Sequence, residues 1–298
     1  MKGAAVNSSL PFASEAASAV RKVSDFIHDN PELGYKEFQA SAKLKELLRS
    51  WGFRIEENVC GLETAFKAYW ESTDDKNIPV FCFMGEYDAL AGLGHGCGHN
   101  LLGAGAMAAS LGVKAYLEAA KIPGTVVLYG CPGEEGGAAK AFMARDGLWY
   151  GLDAALTWHP DDANEVLTGS SNSCIQTQYH FTGVAAHAAG DPDRGRSALD
   201  AVELMNVGVQ FLREHMTEDC RIHYAITDAG GVSPNVVQAE SAVLYMVRAN
   251  KVADSVKLQA RVDDIAKGAA LMTGTSYDRV FIDGTAELLP NYTLEKLM

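Results

Sequence analysis

The sequence predicts an α/β protein in which a mostly parallel sheet is joined to an inserted ferredoxin-like unit of βαββαβ order. Three observations carry that expectation. Apolar runs at residues 78–85, 125–131 and 153–158 alternate with helical patterns, as strands joined by helical crossovers do. Turns rich in Gly, Pro and metal-binding or acid–base side chains follow these runs directly. Beyond His159 the pattern shifts to alternating polar and apolar side chains, the mark of a half-exposed sheet.

Each element has its own signal. Residues 14–29 and 36–51 show amphipathic helical spacing; Asn30-Pro31 breaks them apart and Gly52 stops the second. Residues 64–70 and 78–85 read as strands. Asn100 is placed to N-cap a Gly/Ala-rich helix reaching about residue 120, whose small side chains suit close packing on a sheet. A strand at 125–131, a helix from about 137 to 145 and a strand at 153–158 follow. The second part reads as strands at 174–182, 221–227, 239–249 and 277–282, with helices at 197–215 and 252–272. That order is the split βαβ pattern. Residues 291–298 resemble the start of another helix. The expected domains are 1–171, 172–285 and a return segment, 286–298.

Composition bounds the function. A chain of 298 residues suggests two domains, and 48% apolar with 21% charged residues is ordinary for a soluble globular protein. The net charge of −13 argues against nucleic acid or an anionic membrane as a partner. No apolar run is long enough to span a membrane, and Asn7, Ser8 and Ser9 interrupt any signal-peptide core. Six scattered cysteines without a CxxC pair fit reduced thiols and a cytoplasmic location.

The chemistry concentrates in two turns. Gly94-His95-Gly96-Cys97-Gly98-His99-Asn100 sets a thiol and an imidazole two positions apart among glycines. Such a backbone can fold both toward one ion, although a buried Cys beside a helix-capping His fits equally well. Gly133-Glu134-Glu135-Gly136-Gly137 places adjacent carboxylates after an apolar strand, which is costly unless a cation or shared proton offsets the repulsion. A solvated acidic turn at a helix N-terminus is the alternative. Neighbouring side chains point apart, so one Glu can ligate an ion while the other activates water. His159 adds a third such ending. Asp88 and Glu86 could orient a ligating His from behind, or be plain turn acids. His187, Asn235 and Arg248 read as structural from the residues alone.

Together these motifs resemble the family-twenty metallopeptidases and amidohydrolases. The likeness rests on Gly85-Glu86-Tyr87-Asp88-Ala89-Leu90, the Cys97-Gly98-His99 turn, Gly130-Cys131-Pro132-Gly133-Glu134-Glu135, Thr157-Trp158-His159-Pro160, Ala186-His187-Ala188, Gly195-Arg196-Ser197 and Gly230-Gly231-Val232-Ser233-Pro234-Asn235. Asn100, where auxin-conjugate hydrolases carry Asp, favours the p-aminobenzoyl-glutamate hydrolase group. The resemblance implies a two-metal catalytic domain carrying a ferredoxin-like lid or dimerisation domain. It assigns ligation to Cys97, His99, Glu135 and His159, and general acid–base work to Glu134. It gives His187 the substrate carbonyl, in some members from the partner subunit, and Asn235 and Arg248 the substrate carboxylate. Two divalent ions are implied, zinc first given the thiolate and manganese as the alternative. The expected activity is hydrolysis of N-acyl amino acids, with p-aminobenzoyl-glutamate leading. A general N-acyl-amino-acid hydrolase or dipeptidase is the alternative, and a non-catalytic dimerising partner is the reading of another class. Family members continue for roughly a hundred residues after the lid and take a last His ligand from there. Residues 1–298 are therefore expected to be truncated, short of a ligand and inactive alone, unless His95 supplies it.

Overall fold

The chain divides into two units, residues 1–164 and 165–298. The computed structural model describes residues 12–298; Asn7, Ser8 and Ser9, on which the signal-peptide argument rests, lie outside the described residues.

The first unit begins with helices α1 (Phe12–Asp29) and α2 (Phe38–Ser50), then strands β1 (Arg54–Glu57), β2 (Phe66–Glu71) and β3 (Val80–Gly85). Helix α3 (His99–Ala120), strand β4 (Thr125–Gly130), the single turn α4 (Glu134–Gly137), helix α5 (Ala139–Arg145) and strand β5 (Ala154–Leu156) follow. Among the described residues the sheet has the order β1-β2-β4-β3-β5. β3, β4 and β5 are parallel, as expected, but β1 and β2 pair antiparallel, so the sheet is mixed. The difference comes from β2, which runs antiparallel to β4; the edge strand β1 is one that sequence reasoning missed. Arg54-Ile55-Glu56-Glu57 carries one apolar side chain and lies on an edge, so it has no alternation to read.

Helices α1, α2 and α3 cover one face. Val23 and Ile27 of α1, Leu44 and Leu48 of α2, and Met107 and Leu111 of α3 pack on Phe66, Val126 and Leu128. At ~25 cal/mol per Å² of apolar surface, such burial is the main drive for docking the helices. Helix α3 starts two residues earlier than expected. Gly98, at φ 81°, is its N-cap, and Asn100 lies inside the first turn, donating to Ser24 Oγ at 3.2 Å. The left-handed turn that separates Cys97 from His99 suits glycine better than asparagine at the cap.

The second unit holds β6 (Ser173–Thr182), α6 (Ala198–Arg213), β7 (Arg221–Asp228), β8 (Glu240–Ala249), α7 (Val252–Thr273) and β9 (Ser276–Thr285). The sheet order is β7-β8-β6-β9, antiparallel throughout, which is the ferredoxin-like arrangement. Tyr179 and Phe181 of β6 turn inward under Val202, Met205 and Val209 of α6 and Val262 and Ala266 of α7. Between them His180 is exposed, the alternation that marked the strand. Ser197 caps α6 by accepting from Asp200 N at 3.0 Å. The last helix, α8 (Tyr292–Leu297), is capped by Asn291. No helix among the described residues is long and apolar enough to cross a membrane.

One glycine fixes how near α3 comes to the end of β3. A Cβ on Gly103 would sit 2.6 Å from the main-chain O of Glu86. Gly103→Ala should therefore cost about 1–3 kcal/mol by overpacking, although Ala in an open helix position gains ~1 kcal/mol. A lowered thermal midpoint for the variant checks the close approach; a raised one refutes it.

Candidate metal centre

Because β3, β4 and β5 run parallel, their C-terminal ends share one edge of the sheet, the place where open α/β sheets hold ligands. Glu86 and Asp88 leave β3, Glu134 and Glu135 leave β4, and His159 leaves β5. Cys97 and His99 stand at the start of α3. Trp158 steadies the last of these exits: its ring packs over Gly105, and its indole N–H donates to Leu102 O at 3.2 Å.

His99 is fully buried. Its Nδ1 lies 3.0 Å from Asp88 Oδ1 and 3.2 Å from Asp88 O, both acceptors, so Nδ1 carries the proton and Nε2 presents a lone pair. His159 repeats the device, with Nδ1 2.8 Å from Pro160 O and Nε2 3.3 Å from Cys97 Sγ. Cys97, His99 and His159 thus bring one donor atom each within 4.8 Å of one another. Glu86, His99 and Glu134 form a second such group.

The fit to a cation can be tested on the atoms left over. Glu86 Oε2 comes within 3.1 Å of His99 Nε2, outside hydrogen-bond alignment, and neither buried atom has a hydrogen-bond partner. His99 Nε2 therefore keeps a buried lone pair that a cation can take. Glu135 Oε1 is likewise buried and unpartnered. Glu135 stands outside both donor groups, its main-chain N–H donating to Asp88 Oδ2 at 2.8 Å. Thiol, imidazole and carboxylate donors with orphaned buried atoms suit a divalent transition metal.

The electrostatics record the same crowding of buried acids. Burial, then the Glu135 carboxylate, pushes the Cys97 thiol up to about 12. Burial opposes a charge on His99, but Asp88, Glu86 and Glu134 outweigh it and hold the imidazole above its usual range. Burial and then the Glu86 charge raise Glu134, whose side chain stays 44% exposed and whose Oε2 is 4.0 Å from His99 Nε2. A half-open, raised carboxylate is suited to exchanging protons with water.

Two residues escaped sequence reasoning. Lys140 of α5 is ion-paired to Glu86. Its signal was a lone cation among small residues one helical turn beyond the paired Glu. Glu37 is fully buried before α2 and accepts from Gly133 N at 2.7 Å, Thr64 Oγ1 at 2.8 Å and Tyr35 N at 2.9 Å. Nothing local marks it, because its partners are up to 96 residues away. His95, with both ring nitrogens buried, belongs to neither donor group.

In the second unit, His187 pairs with Val236, and Ala188 N donates to Asn235 O at 2.9 Å, so His187 and Asn235 share one loop cluster. His187 Nδ1 accepts from Ala189 N at 3.2 Å and Gly190 N at 3.0 Å, which leaves Nε2–H as a free-facing donor on an exposed ring. The cluster continues from the Thr182–Glu240 end of the sheet. Arg248 pairs with Cys174 and Arg221 at the other end. Eight residues of β8 separate Glu240 from Arg248, roughly 26 Å at the usual strand rise.

Comparison with known proteins follows the same division. Residues 173–272 match the peptidase dimerisation domain of the M20 group. The chain is 46% identical over 293 residues to one of the subunits of p-aminobenzoyl-glutamate hydrolase from Escherichia coli (strain K12), covering 93% of this chain and 60% of that protein. It therefore spans less than two thirds of that relative's length. It is 35% identical over 296 residues to the Xaa-Arg dipeptidase of Mus musculus, covering 94% of this chain and 67% of that protein. Among solved structures it resembles a dinuclear metal-binding peptidase of the M20 family from Bacillus subtilis, with a TM-score of 0.64, 19% identity and coverage of 95% of this chain and 78% of that one.

The protonated thiol sets a testable pH dependence. Zinc binding at Cys97 must expel its proton, so affinity should rise with pH through neutrality, about tenfold per unit for one proton released. Acid restores the proton and weakens binding. Cys97→Ala should lower zinc occupancy and flatten the slope, as read by chelator competition from pH 6 to 8; unchanged affinity in the variant would remove Cys97 from the donor set.

Proposed function

The chain belongs to the M20 peptidase family, and from that premise we propose a metal-dependent amidohydrolase that cleaves N-acyl amino acids, with p-aminobenzoyl-glutamate the leading substrate. The observation that carries the reading is the convergence of Cys97, His99 and His159 beside Glu134 at one edge of the parallel strands. The 46% identity to a p-aminobenzoyl-glutamate hydrolase chain favours that substrate over other acyl amino acids. The match to Xaa-Arg dipeptidase keeps dipeptides as the second class to assay.

Two divalent ions are the proposed cofactor, zinc ahead of manganese because a thiolate and two imidazoles are among the donors. Cys97, His99, His159 and Glu135 are the proposed ligands, with Asp88 holding His99 in its ligating tautomer. Bound there, divalent cations would supply Lewis acidity to the amide carbonyl and to the attacking water. Glu134 takes that water's proton on its exposed carboxylate and returns it to the leaving amine. His187, its Nε2–H free to donate, hydrogen-bonds the oxyanion. Asn235 and Arg248 receive the substrate's α-carboxylate, Arg248 by a bidentate contact.

The length of β8 bears on the assembly. Residues at opposite ends of one strand do not reach one small substrate together, so a homodimer through the second unit is proposed, with His187 acting on the partner subunit's substrate. The match to a dimerisation domain supports this reading. A cytosolic setting, in which the Cys97 thiol stays reduced, goes with it.

Glu134→Gln should abolish release of p-aminobenzoate, lowering kcat by at least ~100-fold while metal content is unchanged. Substantial turnover in the metal-loaded variant would end the general-base assignment. Mixing Glu134→Gln with His187→Ala protomers should restore part of the activity, because one site of the mixed dimer keeps both residues. Heterodimers without activity would place His187 within its own subunit.

A further inference from the structure

His99 belongs to two donor groups, and with Nδ1 spent on Asp88 it has only Nε2 to offer, which cannot serve both at once. One is Cys97, His99 and His159; the other is Glu86, His99 and Glu134. An imidazole nitrogen has a single lone pair, so a single ion takes it. The groups also differ in chemical kind. A thiolate with two imidazoles suits zinc, whereas two carboxylates with one imidazole suit manganese or magnesium. The second group is close to ready for an ion: Glu86 is 6% exposed, and its Oε2 is buried, unpartnered and 3.1 Å from His99 Nε2. What stands against it is Lys140, whose ammonium is ion-paired to the other oxygen of the same carboxylate.

We propose that Lys140 sets the metal selectivity of this centre. By holding Glu86 as its own counter-ion it disables the carboxylate-rich group and leaves His99 Nε2 to the thiolate–imidazole group. Two effects act in the same direction. Glu86 cannot give full negative charge to an ion while it balances Lys140, and a fixed ammonium repels a dication approaching the same carboxylate. The Cys97 side is spared, because none of its three donors is ion-paired to Lys140. Helix α5 carries Lys140 next to the Glu134–Glu135 turn, so this cation comes with the same stretch of chain as the carboxylates it works among.

The inference rests on the metal reading of the site, and the experiment separates the two. Manganese binding is followed by electron paramagnetic resonance and zinc binding by competition with a chromophoric chelator. The proteins are wild type, Lys140→Met, Lys140→Arg, Glu86→Gln and the Lys140→Met/Glu86→Gln double variant, with circular dichroism as the folding check. Lys140→Met should tighten manganese relative to zinc by about tenfold or more, since one nearby positive charge is removed and one carboxylate released. Adding Glu86→Gln should cancel that gain, and Lys140→Arg should behave as wild type. Glu86→Gln alone preserves side-chain volume and should leave the zinc-to-manganese ratio within about twofold, because Glu86 ligates neither ion in the native protein. An unchanged or lowered manganese preference in Lys140→Met, or a ratio altered by Glu86→Gln alone, overturns the proposal. A wild-type protein that takes up neither ion overturns the metal reading and this proposal with it.

Discussion

The carboxylate of Asp88 ties together the chain segments that build the centre. One oxygen receives the Nδ1–H of His99 at 3.0 Å, and the other receives the main-chain N–H of Glu135 at 2.8 Å. The end of β3 is thereby joined to the start of α3 and to the turn after β4 through one residue that is 1% exposed. Hydrogen bonds to a charged acceptor are worth about 1.5–3 kcal/mol each, and burial removes competition from water. Glu37 does the matching job on the other side of that turn by holding Gly133 N–H at 2.7 Å. Glu134 sits between two clamped peptide groups, and its own side chain remains open to solvent. A rigid backbone carrying a reachable carboxylate is what proton transfer at a fixed point requires.

Charge is arranged around that frame so that the centre is electron-rich at its middle. Glu86, Asp88, Glu134 and Glu135 all come from strand ends and bring more negative charge than Lys140 offsets. Burial and then the Glu135 carboxylate push the Cys97 thiol up to about 12, and buried atoms among these acids stand without hydrogen-bond partners. A dication held by Cys97, His99 and His159 would relieve both, since it stabilises the thiolate and takes the lone pair of His99 Nε2. The two imidazoles are prepared for this, each having spent its Nδ1 proton on an oxygen of its own unit.

The second unit separates its functional candidates by the length of a strand. His187 and Asn235 share a cluster beyond one end of β8, while Arg248 lies near the other. The alternating pattern that makes these strands half-exposed leaves one face to α6 and α7 and the other open. A sheet built this way can present groups at both ends without moving its core. The proposed division of a substrate between two copies of the chain draws on that layout.

Much of this was legible from local pattern. Strands β3 and β4 announced themselves as apolar runs ending in glycine, the split βαβ order followed from a change of period after His159, and Cys97, His99, Glu134 and His159 stood in the turns that follow successive strands. These are near-neighbour signals, so the sequence by itself determined the fold class, the candidate donors and their family likeness. Other facts depended on contacts between residues far apart in the chain. The edge strand β1 has too little apolar pattern to read, and β2 lies antiparallel to β4, which makes the sheet mixed. Gly98 rather than Asn100 caps α3, because the chain must reverse between two donor side chains. Glu37 and Lys140 look like ordinary surface charges until the fold brings Gly133 and Glu86 to them. Which nitrogen of His99 holds the proton, and which carboxylate a lysine neutralises, are decided by distances in space, and spacing along the chain carries no record of them.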